Sequence, residues 1–425
     1  MPTCAPRCAP ISKSDEIDKE DNVDPKIILP ELRAAVETER QPLVDAARTI
    51  WKNPEVAFTE FKASKLLAEL LNKYGFTVEY PYAGMETAFR AEYVHGNGGA
   101  TFALAAEYDA LPGIGHACGH NLIGTASVAA AYAAKTYMDK HGVDGRIVVL
   151  GTPGEEGGGG KVLMLRNADC LKGVDAVMMS HGGADRTRGD IGSTGIRRYD
   201  VIFHGKASHA AGSPEKGINA LDAQVLLFNA IGLYRQQMNR NALIHGVILE
   251  GGEAANVIPD RTLSRVYIRS KQEKLIDEVY DRFAKMVEGA ALMTGCTSEI
   301  EQYSIPYKSR KPNQVLNRIF EAGARAMGTM NVIPAVGEAR GSSDFGDFSH
   351  AAPGIHACFA IAPPGTSFPG HSEAKKANAN TDFAYDRMLD TGAIMAYCAM
   401  EVLTDAELRA EIRRDFEGKK PAQNA

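Results

Sequence analysis

Residues 101–160 read TFALAAEYDALPGIGHACGHNLIGTASVAAAYAAKTYMDKHGVDGRIVVLGTPGEEGGGG, and their order decides the fold class. An apolar run ending in AEYD predicts a buried strand. The Ala-rich stretch from Asn121 to His141 predicts a helix, with Asn121 as its N-cap and Gly142 as its stop. GRIVVLGTP then predicts a second buried strand. A strand, a long helix and another strand in this order form the repeating unit of an α/β layer with a largely parallel sheet.

The pattern extends in both directions. Upstream, IILPELRAAVETERQPLVDAARTIWKN and ASKLLAELLNKYGF place apolar residues at helical spacing, and TVEYPY and TAFRAEYV predict short strands. Downstream, KVLMLRNA predicts a short helix and DAVMMSHG a buried strand. From about residue 193 the texture changes. RRYDVIFHG, IHGVILEGG, RTLSRVYIRS and TSEIEQYSIPY predict strands, and NALDAQVLLFNAIGLYRQQM and EKLIDEVYDRFAKMVEGAALMTG predict helices. That order is β-α-β-β-α-β, the ferredoxin-like arrangement. NQVLNRIFEAGARAMG, HACFAIAPPG and DFAYDRMLDTGAIMAYCAMEVL then resume the first style. The reading is an α/β domain over 27–192 and 306–410, interrupted by an inserted α+β domain over 193–305. Residues 1–26 and 411–425 are expected to be flexible, solvated tails.

Composition narrows the function classes. Hydrophobic residues at 44% and charged residues at 24% exclude wholesale disorder and fibrous repeats. A net charge of −6 offers no general attraction to nucleic acid or anionic lipid, so neither partner is expected. No run approaches the ~18–20 apolar residues of a spanning helix. The start MPTCAPRCAPISKSDEIDKEDN has no apolar core of a signal peptide. Seven scattered cysteines do not form a disulfide framework, which favours a reducing, cytoplasmic compartment and leaves Cys4 and Cys8 incidental.

Four polar clusters follow strand-like runs: Glu107 and Asp109 with His116, Cys118 and His120; Glu155 and Glu156; His181; and His371 in FPGHSEA. In open α/β sheets ligands bind at the carboxyl ends of the strands, where such loops converge. Imidazole, thiolate and carboxylate together suit zinc, manganese or cobalt, whereas calcium and magnesium prefer all-oxygen shells. Cys118 and His120 are two apart on a glycine-bearing loop. In GEEG one glutamate can ligate while its neighbour stays free to carry a proton between water and a leaving nitrogen.

These segments also carry a family resemblance. EYDALPGIGHACGHNLIG, GTPGEEGGGGK, MSHG, KASHAAGSPEKGINALDA, ANVIPD and SSDFGDFSH occur in order, over a region spanning about 27–405. The chain resembles the metallopeptidases and amidohydrolases that include aminoacylase, carboxypeptidase G and the indole-acetic-acid amino-acid hydrolases. Within them it is most similar to the branch of the p-aminobenzoyl-glutamate hydrolase B subunit and the Xaa-Arg (β-alanyl-lysine) dipeptidases. The resemblance implies a two-metal catalytic domain with an inserted lid that also forms a homodimer interface.

Carried over by position, the resemblance makes Cys118 the bridge between two divalent metals. His120 and His181 complete one site, and Glu156 and His371 the other. Glu155 becomes the general base and Asp109 the carboxylate orienting a ligand. Glu107 stands where relatives with an HxD motif hold a ligating histidine, and it is not expected to ligate. His209 is implied to reach across the dimer to the scissile carbonyl, and Asn256 and Arg269 to hold the substrate's oxyanion and carboxylate. The 342–344 loop, with Ser343 at its centre, is expected to bind a carboxylate through backbone N–H groups. The activity implied is hydrolysis of an N-acyl amino acid or dipeptide with a free carboxylate. The competing readings are a catalytically idle binding subunit and a member that acts on, or forms, the amide of a specialised metabolite.

Overall fold

The computed structural model describes residues 24–337 and 341–418. Most of the expected N-terminal tail, with Cys4 and Cys8, lies outside the described residues. Helix α1 (Pro25–Thr38) starts earlier than expected because Asp24 caps it, its carboxylate accepting from the Lys26 N–H at 2.8 Å. The chain breaks at Glu39 and resumes as α2 (Arg40–Lys52), so the long helical stretch is two helices. Then come α3 (Phe61–Lys73), β1 (Thr77–Glu79), β2 (Phe89–His95), β3 (Thr101–Ala106), α4 (His120–His141), β4 (Gly145–Gly151), α5 (Gly160–Ala168) and β5 (Ala176–Gly182).

The middle of the chain supplies β6 (Gly195–His204), α6 (Ala220–Tyr234), β7 (Ala242–Glu250), β8 (Arg261–Ser270), α7 (Glu273–Thr294) and β9 (Thr297–Gln302). It closes with α8 (Gln314–Met327), α9 (Phe345–Ala351), β10 (Gly354–Phe359), α10 (Glu373–Asn378), α11 (Asp382–Thr404) and α12 (Ala406–Phe416).

Two sheets result. The first has the order β1-β2-β4-β3-β5-β10, parallel from β4 through β10, with β2 and β1 added antiparallel at one edge. Its central strand β3 is buried along its whole length, as expected of a parallel strand covered on both faces. Helices α4 and α11 pack together beside it, and their small residues let the backbones approach. A Cβ at Gly124 would lie 2.6 Å from the Glu107 carbonyl oxygen, so only glycine fits there. The second sheet, β7-β8-β6-β9, is wholly antiparallel and lies in the chain between β5 and β10. One face packs on α6 and α7 through Val201, Phe203, Val266, Ile268, Leu227 and Phe283. Element order and strand order are both ferredoxin-like.

Two expectations need correction. Asn121 is not the cap of α4. Gly119, at φ 86°, holds the cap position, and the Asn121 amide instead donates to the carbonyls of Ala379 (2.9 Å) and Ala47 (3.3 Å). The segment 411–418 is not a free tail. Helix α12 runs through it, burying Leu408 and Ile412 one turn apart against α8, and Asp415 accepts from the Gln314 N–H at 2.7 Å. The charged residues between those two apolar positions disguise the stripe. Residues 419–425 lie outside the described residues. Among the described residues no helix is long and apolar enough to cross a membrane.

Candidate metal centre

Four parallel strands end on the same edge, and their following loops carry the chemistry. Glu107 and Asp109 lie just past β3, Glu155 and Glu156 just past β4, His181 at the end of β5, and His371 on the loop beyond β10. Cys118 and His120 flank Gly119, whose left-handed backbone starts α4 and turns both side chains to one place. His371 itself sits at φ 53°. A non-glycine residue there stores about 1–3 kcal/mol of strain, a cost that persists where geometry serves function.

The cluster is tight. Cys118, His120 and His181 each offer a ligand atom within 4.8 Å of the others, and so do Cys118, Glu156 and His371. The two trios share Cys118. Its sulfur is 3.2 Å from His181 Nε2 and 3.8 Å from His371 Nε2, while Glu156 Oε1 is 3.8 Å from His371 Nε2 and 4.0 Å from His120 Nε2. Two of the three rings, those of His120 and His181, are held from behind through their other nitrogen. His120 Nδ1–H donates to Asp109 Oδ1 at 3.0 Å and His181 Nδ1–H to the Gly182 carbonyl at 2.9 Å. Asp109 Oδ2 also accepts the Glu156 N–H at 2.9 Å, tying two of the loops together. His120 Nε2 and Glu156 Oε1 are buried and have no hydrogen-bond partner. Buried polar atoms left this way call for a partner. A mixed N, S and O donor set with orphaned atoms facing inward fits a divalent transition metal.

Electrostatics point the same way. Burial opposes charge on His120, yet Cys118 and Asp109 outweigh it and push the imidazole well above its ordinary pKa. Surroundings that attract a proton so strongly attract a cation too. Burial, then the Lys375 charge, hold His181 well below its ordinary value, so it stands neutral with a lone pair to give. Burial raises the Cys118 thiol, and the charges of His120 and Lys375, whose ammonium lies 4.0 Å from the sulfur, oppose that rise. Burial, with Glu156, Glu107 and Asp344 adding to it, pushes Glu155 well above the usual carboxylate range. A carboxylate of raised proton affinity is a stronger base.

Several of these groups are not evident from sequence. Lys161, wholly buried, bridges Glu107 Oε1 and Asp344 Oδ1 at 2.6 Å each, and its backbone N–H donates to Asp344 Oδ2 at 3.0 Å. Glu107 is therefore committed to a lysine, with its second oxygen 3.5 Å from His120 Nε2. Glu60, at the start of α3, accepts the Gly154 N–H at 2.9 Å and the Thr87 hydroxyl at 3.0 Å, fixing the loop that carries Glu155. Tyr307 Oη donates to the Glu155 carbonyl at 3.1 Å. His356 stacks on His181 with ring centres 5.3 Å apart.

The remaining expected residues divide. Arg269 Nη1 donates to Ser342 Oγ at 3.0 Å, which brings it against the 342–344 loop. Ser343 is buried, and its hydroxyl accepts the Phe345 N–H at 3.2 Å, so it is Ser342 that meets Arg269. His209 and Asn256 are both exposed on adjoining loops of the second sheet, joined by the Ala210 N–H to the Asn256 carbonyl at 2.9 Å. Within one chain His209 does not belong to the ligand cluster.

Comparison with known proteins agrees with this architecture. The model of peptidase family M20/M25/M40 matches residues 103–400. A Xaa-Arg dipeptidase of Mus musculus is 33% identical over 388 residues, covering 88% of each chain. The B subunit of the p-aminobenzoyl-glutamate hydrolase of Escherichia coli (strain K12) is 36% identical over 307 residues, covering 68% of this chain and 63% of that one. Among solved structures, a dinuclear metal-binding M20 peptidase from Bacillus subtilis superposes with a TM-score of 0.64 at 20% identity, over 86% of this chain and 99% of the other. An aminobenzoyl-glutamate utilization protein from Klebsiella pneumoniae gives 0.64 at 21% identity, over 86% and 98%. These two structures share the fold. The chain belongs to peptidase family M20/M25/M40. It is a hydrolase.

Proposed function

We propose that this hydrolase cleaves the amide bond of an N-acyl amino acid or dipeptide with a free carboxylate, using two divalent cations of zinc, manganese or cobalt. Cys118 would be shared between them, with His120 and His181 on one side and Glu156 and His371 on the other. The observation that carries the reading is the pair of ligand trios meeting at one buried cysteine, with Glu155 beside them. A dinuclear centre in the Bacillus subtilis M20 peptidase supports it. A bound divalent cation supplies acidification of water and polarisation of a carbonyl.

The protein's own groups do the rest. Glu155 takes the proton from the attacking water and returns it to the leaving nitrogen. Asp109 holds the His120 ring, and Glu60 and Tyr307 hold the backbone on either side of Glu155. Residues 193–305 form the lid and the dimer contact, with His209 and Asn256 presented to the site of the partner subunit. Arg269 and the 342–344 loop receive the substrate carboxylate. Closure of such a lid excludes water from the reacting bond. Against the idle-subunit reading, the proposed ligands and the proposed base, Glu155, all stand in the cluster.

The test is Glu155→Gln in protein reloaded with each metal. Metal content, by elemental analysis, is expected to match the unaltered protein. Turnover across a panel of N-acyl amino acids and dipeptides is expected to fall by about 10²–10⁴. Near-normal turnover would remove Glu155 from the role of base.

A further inference from the structure

Beside the ligand trios lies a group of carboxylates that the reading above leaves unused. Glu107 and Asp344 are outside both trios and meet Glu155 instead, each of the three offering an oxygen within 4.8 Å of the others. Glu107 and Asp344 are wholly buried, and so is the cation that answers them, Lys161. Its place follows from the glycine before it. A Cβ at Gly160 would lie 1.8 Å from the Pro153 carbonyl oxygen, so the first turn of α5 presses on the loop after β4 and carries Lys161 inward. The Lys161 ammonium then stands 2.6 Å from Glu107 Oε1 and 2.6 Å from Asp344 Oδ1. Burial opposes its charge, but Asp344, Glu107 and Glu155 outweigh that and raise its pKa above the ordinary lysine value.

Glu107 faces two ways. Its Oε1 is bound to Lys161, while its Oε2 is buried, has no hydrogen-bond partner and lies 3.5 Å from His120 Nε2. Two donors on one tetrahedral cation stand about 3.4 Å apart, given bond lengths of about 2.1 Å. Glu107 is thus close enough to His120 to compete for the same cation. The consequence of its joining is chemical. Catalytic sites keep three protein donors and an open position, whereas a fourth protein donor gives the closed shell of a structural site. Cys118, His120 and His181 are already three.

We propose that Lys161 is a positioning residue that withholds Glu107 from the cation of Cys118, His120 and His181, and so keeps one coordination position free for water or substrate. This rests on the two-cation reading above. A carboxylate whose charge is answered by an ammonium at 2.6 Å is a weaker donor, and Asp344 holds that ammonium from the other side.

The experiment uses the full chain reloaded with cobalt, whose visible bands weaken as its coordination number rises. Lys161→Met is expected to keep two equivalents, show weaker bands, and release cobalt to a chelator more slowly by about tenfold or more. The double variant Lys161→Met/Glu107→Gln is expected to recover the band intensity and release rate of the unaltered protein, a rescue that loss of packing would not give. Unchanged bands in Lys161→Met overturn the proposal, and so does a change that persists in the double variant. Glu107→Gln alone, with Lys161 in place, decides the matter where no Lys161 variant folds. An unchanged cobalt spectrum supports the proposal, and an altered one marks Glu107 as a ligand already and overturns it. Failure of the two-cation reading is seen separately and first, as unaltered protein that takes up fewer than two equivalents, and it overturns this proposal with it.

Discussion

Cys118 is the side chain on which the proposed centre turns, because both ligand trios include it. Removing any other ligand leaves one trio whole. Cys118→Ala is therefore expected to lower metal content from two equivalents per chain to one or fewer, read by elemental analysis after reloading. Two retained equivalents would refute its assignment. The meeting of Cys118, His120, Glu155, Glu156, His181 and His371 was legible because polar residues on the loops that follow apolar runs gather at one edge of a parallel sheet. Lys161 was not legible. A lysine after four glycines, at the start of a helix, reads as solvated. Only the fold reveals that Glu107, fifty-four residues earlier, and Asp344, 183 residues later, close around it.

Among the elements, β3 to β5 and α4 followed directly from hydrophobic periodicity, and their loops inherited a common edge. Elements whose apolar stripe is narrow were harder to read, and α12 is the clear case, with Leu408 and Ile412 alone facing inward. Helix α11 is the opposite extreme, buried along nearly its whole length with two buried carboxylates, Asp390, which Arg33 and Arg387 answer, and Glu401. Burial pushes the Glu401 carboxyl from its ordinary 4.5 up to about 7, against a hydrogen bond from Tyr397 and with help from Asp405. Between those two pH values the folded chain binds more protons than the unfolded one, so this group's contribution to stability is lost as pH rises through that window. Glu401→Gln cannot ionise. It is expected to narrow the gap in Tm between pH 5 and pH 8, with a relative gain at pH 8 of about 1–3 kcal/mol. Thermal unfolding at the two pH values checks this, and an unchanged gap contradicts it.

On the scale of the whole molecule, the interrupted architecture is visible as a change of texture near residue 193, where strand–helix alternation gives way to the β-α-β-β-α-β order. What one sequence does not carry is how separate surfaces meet. His209 and Asn256 stand exposed within a single chain, His209 outside the ligand trios, and the proposed homodimer would give them their place. Mixing a Glu155→Gln chain with a His209→Ala chain, each inactive alone, is expected to restore up to about a quarter to a half of the activity, since one composite site in a mixed dimer regains both groups. Verified mixed dimers with no recovery count against a site shared between subunits.

All of this depends on cations occupying the place where four strand ends meet. The direct measurement is anomalous diffraction from crystals of protein reloaded with manganese or zinc. Two peaks per chain are expected, both within bonding distance of the Cys118 sulfur, one reached by His120 and His181 and the other by Glu156 and His371. A single peak, or peaks away from Cys118, would contradict it.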